Sequence, residues 1–158
     1  MANMFDISQI QNIIDIGIPH CADIGVKVEE ISETDVAMRL PYDKRFVGNP
    51  VSGVLHGGII TTLIDSASGM CIYVKMQKYI PIATLDLRID YLKAAEPGRD
   101  VIARATCYKL SRQIAFVRAI AYHDDPDDPI ANSVSTFMLK STPTKPLNVA
   151  SKEMADKK

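Results

Sequence analysis

At 158 residues the chain has room for one domain with a real core and little more. Apolar residues make up 47% of it and the formal net charge is −1, which gives no reason to expect nucleic acid or an anionic membrane as partner. The first twenty residues lack a cationic start and a small-residue cleavage site, and Cys21, Cys71 and Cys107 fall at no metal-binding spacing. The expected setting is cytoplasmic, with reduced thiols.

In residues 5–16, Phe5, Ile7, Ile10, Ile13, Ile14 and Ile16 recur at roughly helical spacing, with Asp6 or Ser8 available as a cap. Gly17 and Pro19 end this amphipathic helix, which is expected to lie across the rest of the fold. Residues 25–31 and 34–41 alternate between apolar and polar around a short turn and predict a β-hairpin. A loop over 42–56 follows.

The chain is organised around residues 49–75. Ile59, Ile60, Leu63, Ile64, Ala67, Met70, Cys71 and Val74 recur every three or four positions, and Ala, Ser and Gly fill most of the rest. The pattern predicts a buried helix from about Gly57 to between Lys75 and Lys78, apolar or small nearly all round. Its one carboxylate, Asp65, and the absence of 18 uninterrupted apolar residues argue against a membrane span. A lone buried Asp either caps or pairs with a neighbour, or it serves chemistry. The glycines at the helix start leave the first N–H donors unobstructed, where a developing oxyanion could sit. Gly58 and Asp65 share a face but lie seven residues apart, a rise of roughly 10 Å. If the two cooperate, a second copy of the chain supplies one of them, which predicts a site at a dimer interface.

After the helix the period changes to two. In 84–92, Leu85, Leu87, Ile89 and Tyr91 are expected to face one way and Thr84, Asp86, Arg88 and Asp90 the other. Residues 99–110, 113–123 and 130–140 supply three more strands, the last preceded by a turn rich in Asp and Pro. Ala115, Val117, Ala119 and Ala121 form a small apolar face suited to a close-lying helix. The layout is α+β: helix, two strands, one buried helix, then four strands in meander, an antiparallel sheet wrapped around a central helix. Residues 1–140 read as one domain and 141–158 as a loose polar tail.

The run NPVSGVLHGG, the long apolar helix carrying Asp65, and TLDLRIDYLKAAEPGRDVIARA downstream resemble the hotdog-fold thioesterases, specifically the phenylacetate-pathway (PaaI-like) branch. The resemblance spans about residues 20–140. It implies hydrolysis of an acyl-coenzyme A thioester, with Asp65 as general base or nucleophile and the Gly57 backbone N–H polarising the carbonyl beside Gly58. It places Asn49 and His56 on the carbonyl side, His56 either touching substrate or holding its loop, and Thr84 where family members orient the attacking water. Asn49 stands seven residues before His56, one more than is usual, with Ser52 the extra residue. A thiolate leaves readily, so no metal or cofactor is implied. Lys109, Arg112, Arg88, Lys93 and Arg99 are the cations available for the phosphates of coenzyme A. A homodimer with shared sites and edge-to-edge sheets, joined into a dimer-of-dimers tetramer, completes the expectation. A non-catalytic acyl-CoA-binding module and a hydratase or dehydratase on the same fold are the rival readings. The acyl group is not legible.

Overall fold

The computed structural model describes residues 5–140. In chain order the elements are α1 (Ile7–Gly17), α2 (Pro19–Asp23), β1 (Lys27–Ile31) and β2 (Asp35–Leu40). A 3₁₀ turn (Lys44–Phe46), β3 (Val47–Asn49), β4 (Val54–Leu55) and α3 (Gly57–Met76) follow. The last four strands are β5 (Ile82–Tyr91), β6 (Val101–Leu110), β7 (Ile114–Tyr122) and β8 (Ala131–Leu139). The expected tail over 141–158 lies outside the described residues.

Six strands form one antiparallel sheet in the order β1-β2-β6-β7-β8-β5, with β3 and β4 paired separately. This corrects the four-strand meander: only β6, β7 and β8 pair in succession, and β5 crosses to the far edge beside β8. The reason is the helix. A strand leaving α3 must first clear the hairpin side of the sheet, and the gap beside β2 is filled by β6. The loop expected over 42–56 contains the small β3–β4 hairpin, and the break at Gly17 and Pro19 opens a second short helix, with Pro19 at the first helical position.

The sheet curves around α3, which lies mainly against β2, β6 and β7. Leu63, Ile64, Ala67, Cys71, Ile72 and Val74 are fully enclosed, over the small face of Ala115, Val117, Ala119 and Ala121. Each buried Ile, Leu or Val here contributes about 1.5–3 kcal/mol. By length and composition α3 could cross a membrane, yet most of its surface is spent on this core. It is not buried all round, however. Thr61, Thr62, Asp65 and Ser66 form a half-exposed stripe on the side away from β6. These polar residues face a cavity bordered by β5 rather than the packed core.

α1 is capped by Asp6, whose side chain accepts from the Gln9 N–H while the Gln9 side chain accepts from the Asp6 N–H. Ile10 and Ile14 bury its apolar face. Gln11 reaches β1 like a strand partner: its Oε1 accepts from the Val28 N–H at 2.8 Å and its Nε2 donates to the Val26 carbonyl at 3.2 Å. At the other end of the sheet, β5 pairs on one side only, with β8.

Candidate active site

The β3–β4 hairpin sets the start of α3. The His56 N–H donates to the Phe46 carbonyl at 2.8 Å, and the His56 Nδ1 accepts from the Gly58 N–H at 2.9 Å, so His56 is the helix cap. Accepting there requires a ring with no hydrogen on Nδ1. Gly48 lies so close that a Cβ on it would stand 2.9 Å from the His56 Cα. Among the described residues the Gly57 N–H has no acceptor. It is an open donor at the positive end of a helix of 20 residues. The Gly57 carbonyl, by contrast, accepts from the Tyr91 hydroxyl at 2.6 Å, and that hydroxyl lies 2.9 Å from the Thr61 hydroxyl.

Two turns further along, Asp65 opens into a cavity of about 420 Å³ walled by Ile18 and Cys21 from the α1–α2 segment and by Thr84 and Leu87 from β5. The Thr84 hydroxyl donates to Asp65 Oδ1 at 2.9 Å. Oδ2 has no hydrogen-bond partner among the described residues. One oxygen is held and the other is free to take a proton. A bulge between Thr84 and Asp86 makes this pairing possible. Simple alternation puts Thr84 and Leu87 on opposite faces; the extra residue turns both toward the helix and leaves Leu85 half-exposed outside. The Cys21 thiol lies 3.1 Å from the Ser66 hydroxyl, and burial pushes its pKa up, with Ser66 pulling down and Asp65 adding a smaller upward push. A thiol kept protonated is a poor nucleophile, which leaves Asp65 and His20 as the acid–base groups lining this cavity, and of the two only Asp65 is held by a hydrogen bond from β5.

Of the residues singled out from the sequence, Asp65 and Thr84 are brought together, and so are His56, Gly57 and Gly58. The two groups occupy separate places in one chain. Gly57 borders a second cavity of about 300 Å³ beside Tyr91 and Ala95. Asn49 sits in the β3–β4 turn, where its side-chain oxygen accepts from the N–H groups of Val51 at 3.0 Å and Ser52 at 3.4 Å. The carboxamide oxygen is taken up by its own loop, with the Ser52 N–H as one of its donors. Of the candidate cations, Arg88 pairs with Asp90, Lys93 with Asp128, and Arg99 with Glu96 and Asp124. Lys109 lies over the Phe116 ring. Thr61 escaped the sequence reading, and Tyr91 entered it only within the Asp-Tyr-Leu segment of the resemblance and as a tyrosine in phase with Leu87 and Ile89, with no role assigned.

The sequence profile described as the thioesterase superfamily matches residues 52–130. A crystal structure of a Pseudomonas aeruginosa protein is 41% identical to this chain, covers 84% of it and 97% of its own length, and superposes with a TM-score of 0.76. A Halobacterium salinarum protein provisionally named an esterase is 34% identical over 94 residues, 58% of this chain and 61% of the relative's length. The medium/long-chain acyl-CoA thioesterase YigI of Escherichia coli is 24% identical over 135 residues, 77% of this chain and 86% of its own. With the helix-wrapping antiparallel sheet, these matches establish the hotdog fold, and the chain belongs to the thioesterase superfamily, a family of thioester hydrolases.

Proposed function

We propose that this protein is an acyl-CoA thioesterase of the PaaI-like type. The observation that carries the reading is the Thr84–Asp65 hydrogen bond of 2.9 Å, which ties one carboxylate oxygen and leaves the other open in a cavity large enough for an acyl group. Asp65 takes a proton from a water as the water oxygen attacks the thioester carbonyl carbon. The Gly57 N–H stabilises the oxygen that becomes negative. The C–S bond then breaks, and coenzyme A leaves as the thiolate, which takes up the proton held by Asp65 and restores the carboxylate. Tying Oδ1 to Thr84 orients Asp65 as a base toward water. His56 holds the glycine turn by capping it, and Asn49 holds the hairpin behind it.

The separation of Asp65 from Gly57 along one helix supports a homodimer in which each site takes its base from one subunit and its donor from the other. The open edge of β5, ten residues long, is the surface we assign to that pairing, with a tetramer built from two such dimers. Three free thiols support a cytoplasmic setting. The name of the Escherichia coli relative supports medium or long acyl chains as the first substrates to try.

A steady-state panel of short, long and aromatic acyl-CoAs, read as thiol release, tests the assignment. No thiol release from any of them, with binding retained, points to a silent binding module; hydration of an enoyl-CoA points to the hydratase alternative.

A further inference from the structure

We infer that Tyr91 is a positioning residue that aims the Gly57 N–H, an inference that rests on the reading of Gly57 as the oxyanion donor. Two consecutive glycines give the start of α3 the most freely rotating peptide a helix could have. The structure pins that peptide at both ends. The Gly57 carbonyl accepts from the Tyr91 hydroxyl at 2.6 Å, and the Gly58 N–H donates to His56 Nδ1 at 2.9 Å. Thr61, one turn on, places its hydroxyl 2.9 Å from that of Tyr91 and 3.2 Å from the same carbonyl, so the tyrosine is itself held.

The fit is close: a Cβ on Gly57 would lie 3.1 Å from the Tyr91 oxygen and 3.2 Å from its Cζ, so a side chain there would press on the ring. With the Gly57–Gly58 peptide fixed, the N–H of the preceding peptide, that of Gly57, is held in place and has no acceptor among the described residues. Tyr91 touches no reacting atom; it acts through Gly57. The same strand carries Thr84, which holds Asp65, so β5 pins a donor at one end and a base at the other. In a dimer paired through β5 those two groups belong to different sites, and one strand would align both.

Tyr91→Phe keeps the ring and removes only the hydroxyl. On the acyl-CoA the wild type hydrolyses best, kcat should fall about tenfold with KM within about twofold. A trifluoromethyl ketone analogue of that acyl-CoA, which forms a tetrahedral oxyanion, should bind about tenfold more weakly, while the inert thioether analogue binds as before. Equal weakening of both analogues, or kcat within twofold of wild type, overturns the inference. Amide exchange reads the pinning without any turnover: the Gly58 N–H should exchange about tenfold faster in the variant. Unchanged exchange also overturns it. A wild-type protein inactive on every acyl-CoA would sink the thioesterase reading alone, with the role of Tyr91 still decided by exchange. Thr61→Val, which removes the second hydroxyl, should reproduce the effect in weaker form.

Discussion

Whether each site is shared between subunits can be decided by mixing two inactive variants. Gly57 and Asp65 are separated by eight residues of helix, a rise of ~12 Å. Tyr91 and Thr61 occupy the turn between them. A carbonyl oxygen about 3 Å from the N–H and a water about 3 Å from the carboxylate cannot belong to one reacting thioester across that span. The donor is deleted by Gly57→Pro. His56 has ψ 133, in the range a residue before proline requires, and proline is well suited to the first position of a helix. Its Cβ needs Tyr91 to give way by a few tenths of an ångström, which an exposed ring can do. The base is deleted by Asp65→Asn. Each variant alone should lose on the order of 10² or more in kcat. Random exchange of equal amounts makes about half the molecules heterodimers, each with one doubly damaged site and one intact site, so about a quarter of wild-type activity should return. The assay is thiol release after subunit exchange has been verified by mass. No recovery would refute the shared site, since donor and base would then come from one chain and every site in the mixture would keep one lesion.

Asp65→Asn on its own should lower kcat with little change in KM, and near wild-type turnover in a folded variant would move Asp65 to a structural role. Gly48→Ala should destabilise the protein by about 1–3 kcal/mol and slow turnover, because its Cβ would meet the backbone of His56 at 2.9 Å rather than a side chain that can move; thermal melting and kcat together check this. The Glu29 carboxyl is held below its ordinary value of 4.5 chiefly by hydrogen bonds from Arg39. A carboxyl whose folded value is depressed adds stability above its unfolded value and loses it as pH falls through the folded one. Melting temperature should therefore drop as pH is lowered past 4.5, and Glu29→Gln should flatten that part of the curve.

How far the sequence went is plain from particular residues. α3 and its acid were legible because a twenty-residue run of apolar and small residues has few other places to go, and the two-residue period of β6, β7 and β8 is strong. The bulge in β5 was not legible: Leu85 keeps the alternation going in the letters while the backbone slips by one residue. That slip is what allows Thr84 to meet Asp65, so the resemblance located Thr84 while the periodicity turned it the wrong way. Tyr91 was read as one more apolar residue, since nothing in its spacing reveals that its hydroxyl ends on a glycine carbonyl 34 residues earlier. The position of β5 at the far edge, beside β8, depends on which gap β6 fills, a competition between distant segments that no local pattern records.

The side chain of Gln11 has a consequence for growth. An antiparallel sheet with two bare edges can add copies at both ends without limit, and fibres are the result. Here one border is occupied by an amide that imitates a neighbouring strand's N–H and C=O at Val26 and Val28. A two-fold pairing through β5 uses the remaining bare edge of both copies at once, and the composite sheet then ends at each side in a glutamine plug. In the proposed dimer, assembly along the hydrogen-bonding direction would end at two chains, with the Gln11 amide on the amino-terminal helix standing in the way of a third.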